Sequence, residues 1–139
     1  MIRPTIAAIS PFLIVADLSA ALAFYRDKLG FEITYRGPSP ESEFFGIVCR
    51  DRATIMFKTL GAIVDGKEVL VAPVPNYGRK PAFSWDVYLE VPDPDALSAE
   101  FASRGVPLSV PVGDRDDGLR GFELEDLDGY GLFFGCIRA

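Results

Sequence analysis

The sequence predicts an α+β fold made of two tandem βαβββ modules, about residues 1–60 and 81–139, joined by a connection at 59–80. Three observations predict it. The segment SPFLIVADLSAALAFYRDKLGFE (10–32) returns in a weaker form as DVYLEVPDPDALSAEFASRGVPL (86–108), each copy precedes three strand-like segments, and the connection is partly rich in Gly and Pro. Because a four-stranded module leaves edges and one face uncovered, we expect the two to pair as curved mixed sheets around a shared cup-like cavity.

The first module begins with an apolar segment, residues 12–16, that fits a strand covered on both faces. Asp17 is a natural N-cap for the helix that follows, and Gly30 stands where a C-cap glycine belongs. Apolar residues recur along this helix with the period of one buried stripe: Leu18, Leu22, Tyr25 and Leu29. Three strands bounded by turn residues should complete the module, at 31–36, 42–50 and 53–58.

The second module repeats these signals. A strand containing Leu89 and Val91 leads to the cap Asp93, to Pro94 at the first helical position and to a stop at Gly105. Leu97 and Phe101 form the apolar stripe of this helix. Strands should follow at 107–112, 119–126 and 131–137, the last two separated by an Asp-Gly turn.

Composition excludes several classes of function. The chain has no histidine, and therefore lacks the commonest general base at neutral pH and the commonest transition-metal ligand. The net charge of −6 argues against a nucleic-acid partner, and no apolar run approaches the ~20 residues that a membrane span needs. Cys49 and Cys136 have no motif spacing, so we expect buried thiols in a cytoplasmic protein.

The duplicated module resembles the vicinal oxygen chelate superfamily, which includes glyoxalase I, extradiol dioxygenases and bleomycin-resistance proteins. The stretches that carry this resemblance are VADLSAALAFYRDKLGFE (15–32) and GLRGFELEDLDGYGLFFG (118–135). The second is similar to the closing strands of the bleomycin-resistance branch. Arg120 and Phe122 match that branch, whereas Asp117 stands where a drug-stacking Trp is often found, so bleomycin itself is not the expected ligand.

The resemblance also locates the positions at which metal-dependent members hold their ion. They are the start of the first strand and the last strand of each module, which correspond here to Ser10, Met56, Asp86 and Phe133. Catalytic divalent ions need three or four oxygen or nitrogen ligands, and this set supplies one carboxylate. We therefore expect no metal and no cofactor.

Strand alternation predicts which side chains face the cup. If Ser10 and Asp86 point inward, so do Tyr88 and Glu90, while Trp85 turns toward the helix side. The predicted ligand-binding residues are Ser10, Phe12, Met56, Asp86, Tyr88, Glu90 and Phe133. Two other interpretations stay open: the apolar side chains fill the cup completely, or Asp86 is a structural carboxylate hydrogen-bonded to backbone or to Ser10. Connection residues that could border the mouth of the cup are Tyr77, Arg79 and Lys80.

An apolar cup with few carboxylates predicts a metal-free protein that binds a small aromatic or cationic molecule, and the resemblance implies antibiotic sequestration by a homodimer. The alternative is a metal-independent isomerase or lyase that uses Asp86 or Glu90 as its general base.

Overall fold

The computed structural model describes residues 2–79 and 84–138, and each half contains its predicted order of elements. The first half comprises β1 (Phe12–Ile14), α1 (Leu18–Asp27), β2 (Glu32–Ser39), β3 (Ser42–Arg50) and β4 (Ala53–Lys58). The second half comprises β7 (Val87–Glu90), α2 (Pro94–Ser103), β8 (Val110–Asp114), β9 (Leu119–Glu125) and β10 (Gly131–Ile137). Between them lie a hairpin, β5 (Gly61–Val64) and β6 (Lys67–Leu70), and a 3₁₀ turn at Asn76–Gly78. The expected start of the second module, at residue 81, lies outside the described residues.

Two mixed four-stranded sheets form the fold, with orders β1-β4-β3-β2 and β7-β10-β9-β8. In each sheet the first strand runs parallel to the last strand of its half, and the remaining pairs are antiparallel. The two halves therefore repeat the same topology, as the duplicated sequence predicts. The fold is α+β, with two similar sheet modules.

Local signals start and stop both helices where the sequence predicts. The carboxylates of Asp17 and Asp93 accept hydrogen bonds from the N–H groups of Ala20 and Ala96, each at 3.0 Å. Gly30 and Gly105 follow the helices with φ of 73° and 75°, a conformation that glycine adopts without strain.

One hydrophobic core lies on the helix-facing sides of the two sheets. The α1 stripe is buried in full, and Phe101 of α2 packs against Phe122 and Phe134 at ring distances of 5.8 and 5.2 Å. Burial of this apolar surface drives the pairing of helix and sheet in each half.

Several polar contacts hold the two halves together. Arg50 forms a bidentate ion pair with Glu100 of α2, and both N···O distances are 2.8 Å. The Tyr130 hydroxyl donates to the Ile14 carbonyl at 2.6 Å, and the Tyr25 hydroxyl donates to Asp126 at 2.7 Å. These contacts fix one half against the other at two separate places.

The connection between the two modules contains a β-hairpin, whereas the sequence predicted a segment that is partly a loop. Asp65 and Gly66 occupy its turn with φ of 51° and 75°, as a type I′ turn requires. The signal was present in the sequence, since Asp-Gly between two apolar runs is typical of a hairpin.

No helix of residues 2–79 and 84–138 is long and apolar enough to cross a membrane.

Candidate functional site

The sheet faces turned away from the helices carry most of the predicted site residues. In the first half, Phe12 on β1 is paired with Met56 on β4, and both point to this face. The Phe12 ring is half exposed and lies 6.3 Å from that of Phe45. Ser10 precedes β1 and is half-buried. This face is open and apolar.

In the second half, the corresponding face carries a cluster of aromatic rings. Tyr88 on β7 is paired with Phe133 on β10, and their rings stack at 5.8 Å with an interplanar angle of 14°. The Tyr88 hydroxyl also donates to the Gly135 carbonyl at 3.4 Å, which holds the ring along the strand. Tyr88 keeps 39% of its surface exposed, whereas Phe133 is 0% exposed. A ligand on this face would therefore contact Tyr88 and not Phe133.

Two glycines make the space for the Phe133 ring. Gly121 and Gly135 are directly paired across β9 and β10. A Cβ at Gly121 would lie 2.8 Å from the Phe133 ring and one at Gly135 would lie 2.5 Å from it, and each would lie at least as close to a backbone oxygen. Both positions therefore need glycine, and the ring lies flat against bare backbone.

The prediction that Trp85 faces the helices is wrong. Its ring packs on Phe133 at 4.5 Å and lies 6.4 Å from Tyr88. Alternation holds only inside a strand, and β7 begins at Val87, so the chain at Trp85 does not follow the pleat. Trp85 is therefore part of the aromatic cluster.

Asp86 is a structural carboxylate that is hydrogen-bonded to backbone, which was one of the two interpretations of this residue. One carboxylate oxygen accepts the N–H of Asn76 and the other accepts the N–H of Gly131, each at 2.9 Å. The carboxylate thereby ties the connection to β10. Both of its oxygens are engaged by backbone.

A buried carboxylate on this face, Glu123, was missed by the sequence analysis. It is 2% exposed, accepts a hydrogen bond from the Tyr77 hydroxyl at 2.7 Å and forms an ion pair with Arg115. The Arg115 guanidinium also lies over the rings of Phe133 and Trp85, at 5.2 and 5.8 Å. Burial and the hydrogen bond to Glu123 raise the pKa of Tyr77. In LRGFELED the alternation marks Glu123 as facing the cup, but nothing local predicts its partners from distant segments.

A cleft of about 1120 Å³ opens between the two halves. One wall comes from the end of β3 and the start of β4, including Thr54, and the other from β7 and α2, including Tyr88 and Glu90. Ile9 and Pro11, on either side of Ser10, lie at its edge. Of the predicted ligand-binding residues, the cleft thus gathers Tyr88 and Glu90; its lining does not include Ser10, Phe12, Met56, Asp86 or Phe133.

The residues at the metal positions of the fold do not fit a divalent ion. Met56 has a thioether and Phe133 has a buried ring. Both carboxylate oxygens of Asp86 accept hydrogen bonds from backbone N–H groups. Within residues 2–79 and 84–138, no group of three His, Cys, Asp or Glu side chains is placed to hold a metal. This donor set lacks the hard ligands that such ions need.

The duplicated fold and its two sheet faces agree with a family match that spans residues 5–134, to the Glyoxalase/Bleomycin resistance protein/Dioxygenase superfamily. The chain belongs to this superfamily. No curated protein matches the sequence.

Several solved structures share this superfamily fold. A superfamily member from Sphaerobacter thermophilus DSM 20745 is 25% identical with a TM-score of 0.64, over 94% of this chain and 97% of that one. The bleomycin-binding protein of bleomycin-producing Streptomyces verticillus, complexed with copper(II)-bleomycin, is 24% identical with a TM-score of 0.67, over 96% and 98%. TnmS3, an antibiotic-binding protein from Streptomyces sp. CB03234, is 17% identical with a TM-score of 0.65, over 97% and 99%.

In the present protein, the residues that match the bleomycin-resistance branch have structural roles. Arg120 forms ion pairs with Asp95 and Asp114, at 2.7 and 3.0 Å, and Phe122 is buried in the core. Asp117, which replaces the stacking Trp, accepts the N–H of Leu119 at 3.1 Å in an exposed turn. In the second half, the partly exposed rings of Trp85 and Tyr88 are available for stacking instead.

Proposed function

We propose that this protein binds and sequesters a small planar compound that carries a positive charge, and that it does so without a metal. The observation that carries the proposal is the half-exposed Tyr88 ring, backed by the buried ring of Phe133 and adjacent to Glu90 at the edge of the cleft.

The aromatic cluster supplies a stacking surface. Phe133 lies against both Trp85 and Tyr88, so the two outer rings are held in place by packing. Preorganised rings lose little conformational entropy when a flat ligand stacks on them. A ring face also attracts cations through its quadrupole, by about 0.5–2 kcal/mol.

Glu90 supplies the counter-charge. It lies two residues after Tyr88 on β7, on the same face of the strand, and is exposed. No ion pair joins it to another described residue. The charges of Asp86 and Glu123, by contrast, are engaged by backbone N–H groups and by Arg115. Glu90 is therefore the carboxylate beside Tyr88 in the cleft lining that a cationic ligand would meet.

The relatives favour an antibiotic as the compound that is sequestered. The Streptomyces verticillus protein holds copper(II)-bleomycin and TnmS3 binds an antibiotic, and both share this fold. A cleft of about 1120 Å³ with both apolar and charged lining residues is suited to a small-molecule ligand. Cys49 and Cys136 are half-buried rather than buried as predicted, and free cysteines are consistent with the cytoplasmic location that we expect for such a protein.

A homodimer is part of the proposal. Ile2, Ile6 and Ile9 are each at least 90% exposed, and the hairpin exposes apolar residues on both of its faces. A second copy would cover this surface, which is costly to leave in water.

The isomerase or lyase alternative gains no support at Asp86. A general base needs a free oxygen within reach of a substrate proton, and both Asp86 oxygens accept backbone hydrogen bonds.

Thermal unfolding in the presence of planar aromatic cations, such as acridine and phenanthridinium dyes, tests the proposal. A dye present at 100 times its Kd should stabilise the protein by about 2.7 kcal/mol. Tyr88→Phe should keep this effect, because the ring is retained, whereas Tyr88→Ala and Glu90→Gln should each weaken it. Glu68→Gln, on the distant hairpin, is the matched control for Glu90→Gln. If no dye stabilises the wild-type protein, or if Tyr88→Ala binds as well as wild type, the proposal fails.

A further inference from the structure

The charged residues that line the cleft differ in whether they already have partners. Arg50 and Glu100 form their ion pair across one end of it. Asp93 caps α2 through the N–H of Ala96, and Asp51 lies 4.0 Å from the Arg50 guanidinium. Arg50, Glu100 and Asp93 are thus engaged in structural contacts, and Asp51 has only an exposed contact with its neighbour Arg50.

Arg52 and Glu90 are the exceptions. Both line the cleft, and neither forms an ion pair with any residue of the described ranges 2–79 and 84–138. Arg52 lies in the turn between β3 and β4, on the wall from the first half, and Glu90 lies at the end of β7, on the opposite wall. The cleft therefore has an available cation on one side and an available anion on the other.

The surface between these two charges is largely apolar. Pro11 lines the cleft from the first half, and Val91 and Leu97 line it from the second half, each with part of its apolar surface exposed. A ligand that spans the cleft would bury its body against these side chains and present its ends to Arg52 and Glu90. Arginine suits a carboxylate because its planar fork of N–H donors matches the two oxygens.

We propose that the ligand of this cleft is amphoteric, with a basic group directed to Glu90 and an acidic group directed to Arg52 on either side of an apolar, planar body. The inference rests on the proposed function, because it adds the anionic group to a ligand already assigned a planar cationic part. It also assigns a binding role to Arg52, which the sequence pattern does not mark.

The contribution of each charge is modest. Both side chains are exposed, and exposed ion pairs contribute about 0.2–1 kcal/mol, which corresponds to a change in affinity of about 1.4- to 5-fold. The acidic group therefore acts as a determinant of specificity on top of stacking and apolar burial.

Rhodamine B and its ethyl ester provide a matched pair of probes. Both contain the same planar, fluorescent, positively charged xanthene ring system, and they differ in one carboxylate, which makes rhodamine B zwitterionic and which the ester masks. Fluorescence anisotropy at low salt measures their affinities for the full chain. We expect rhodamine B to bind about 1.4- to 5-fold more tightly than the ester, with a difference that shrinks as salt is added.

Variants separate the two charges. Arg52→Gln should lower the affinity for rhodamine B to that for the ester and leave the affinity for the ester unchanged. Glu90→Gln should lower the affinity for both dyes. Lys67→Gln, on the hairpin, is the control for the loss of a positive charge and should change neither dye. Equal binding of the two dyes to wild type, or a difference that persists in Arg52→Gln, overturns the amphoteric ligand while leaving the cation site intact. Binding of neither dye overturns both proposals.

Discussion

Asp126 is a buried carboxylate at the junction between the two halves. It accepts hydrogen bonds from the Tyr25 hydroxyl at 2.7 Å and from the N–H groups of Asp128 and Tyr130 at 2.9 and 3.0 Å. Burial nevertheless raises the pKa of Asp126 to about 6, and the neighbouring charge of Asp128 adds to the effect. The folded protein therefore holds a proton at Asp126 at pH values where the unfolded chain has lost it.

This raised pKa predicts how Asp126 contributes to stability as a function of pH. Its stabilising effect is present in full below the ordinary Asp pKa of 3.8 and is lost as pH rises through about 6. Between pH 7.5 and pH 5 the wild-type free energy of unfolding should gain on the order of 1 kcal/mol relative to Asp126→Asn. Urea unfolding of both proteins at several pH values measures this difference.

Asp116→Asn, in an exposed turn, is the control for the loss of a carboxylate and should follow the wild-type profile. If the free energies of unfolding of wild type and Asp126→Asn change in parallel with pH, burial does not raise the pKa of Asp126.

At the scale of elements, the β5–β6 hairpin carries a prediction about assembly. Ile63 and Leu70 share one face of it and are 72% and 65% exposed. An isolated two-stranded hairpin is marginally stable in water, so these side chains need a surface to cover them. We expect the double variant Ile63→Ser, Leu70→Ser to shift the protein from dimer toward monomer in size-exclusion chromatography with light scattering.

The matched control is Lys67→Ser, Glu68→Ser, which changes the adjacent polar positions of the same hairpin and should leave the dimer intact. If wild type is monomeric at micromolar concentration, or if the apolar double variant remains a dimer, the hairpin is not part of a dimer interface.

Most elements were predictable because their signals are local. Caps at Asp17 and Asp93 and glycine stops at Gly30 and Gly105 place both helices, and the repeat of the pattern fixes the topology. The first strand ends earlier than predicted, at Ile14, and β8 begins later, at Val110. Strand ends depend on pairing with neighbours, which a single segment does not encode.

The site was less predictable because it depends on contacts between distant segments. Alternation placed Tyr88 and Phe133 on one face, since both lie inside strands. It failed for Trp85, which precedes its strand. Glu123 gained its partners from the connection and from the turn after β8, and no sequence pattern joins those segments.

At the scale of the whole molecule, the two halves share a topology and differ in the use of their outer sheet faces. The first half presents an open apolar face around Phe12, and the second is covered by Trp85, Tyr88 and the Arg115–Glu123 pair. The two halves therefore provide equivalent frames, and the side chains of the second half form a stacking surface beside the cleft.

The single tryptophan of the chain reports directly on this surface, because Trp85 lies in the aromatic cluster with Tyr88. We predict that titration with a planar aromatic cation changes Trp85 fluorescence in a saturable way. Tyr88→Ala, which retains the tryptophan, should weaken this binding. A cation that binds by calorimetry with no change in Trp85 fluorescence, or with unchanged affinity for Tyr88→Ala, would contradict the assignment of the site.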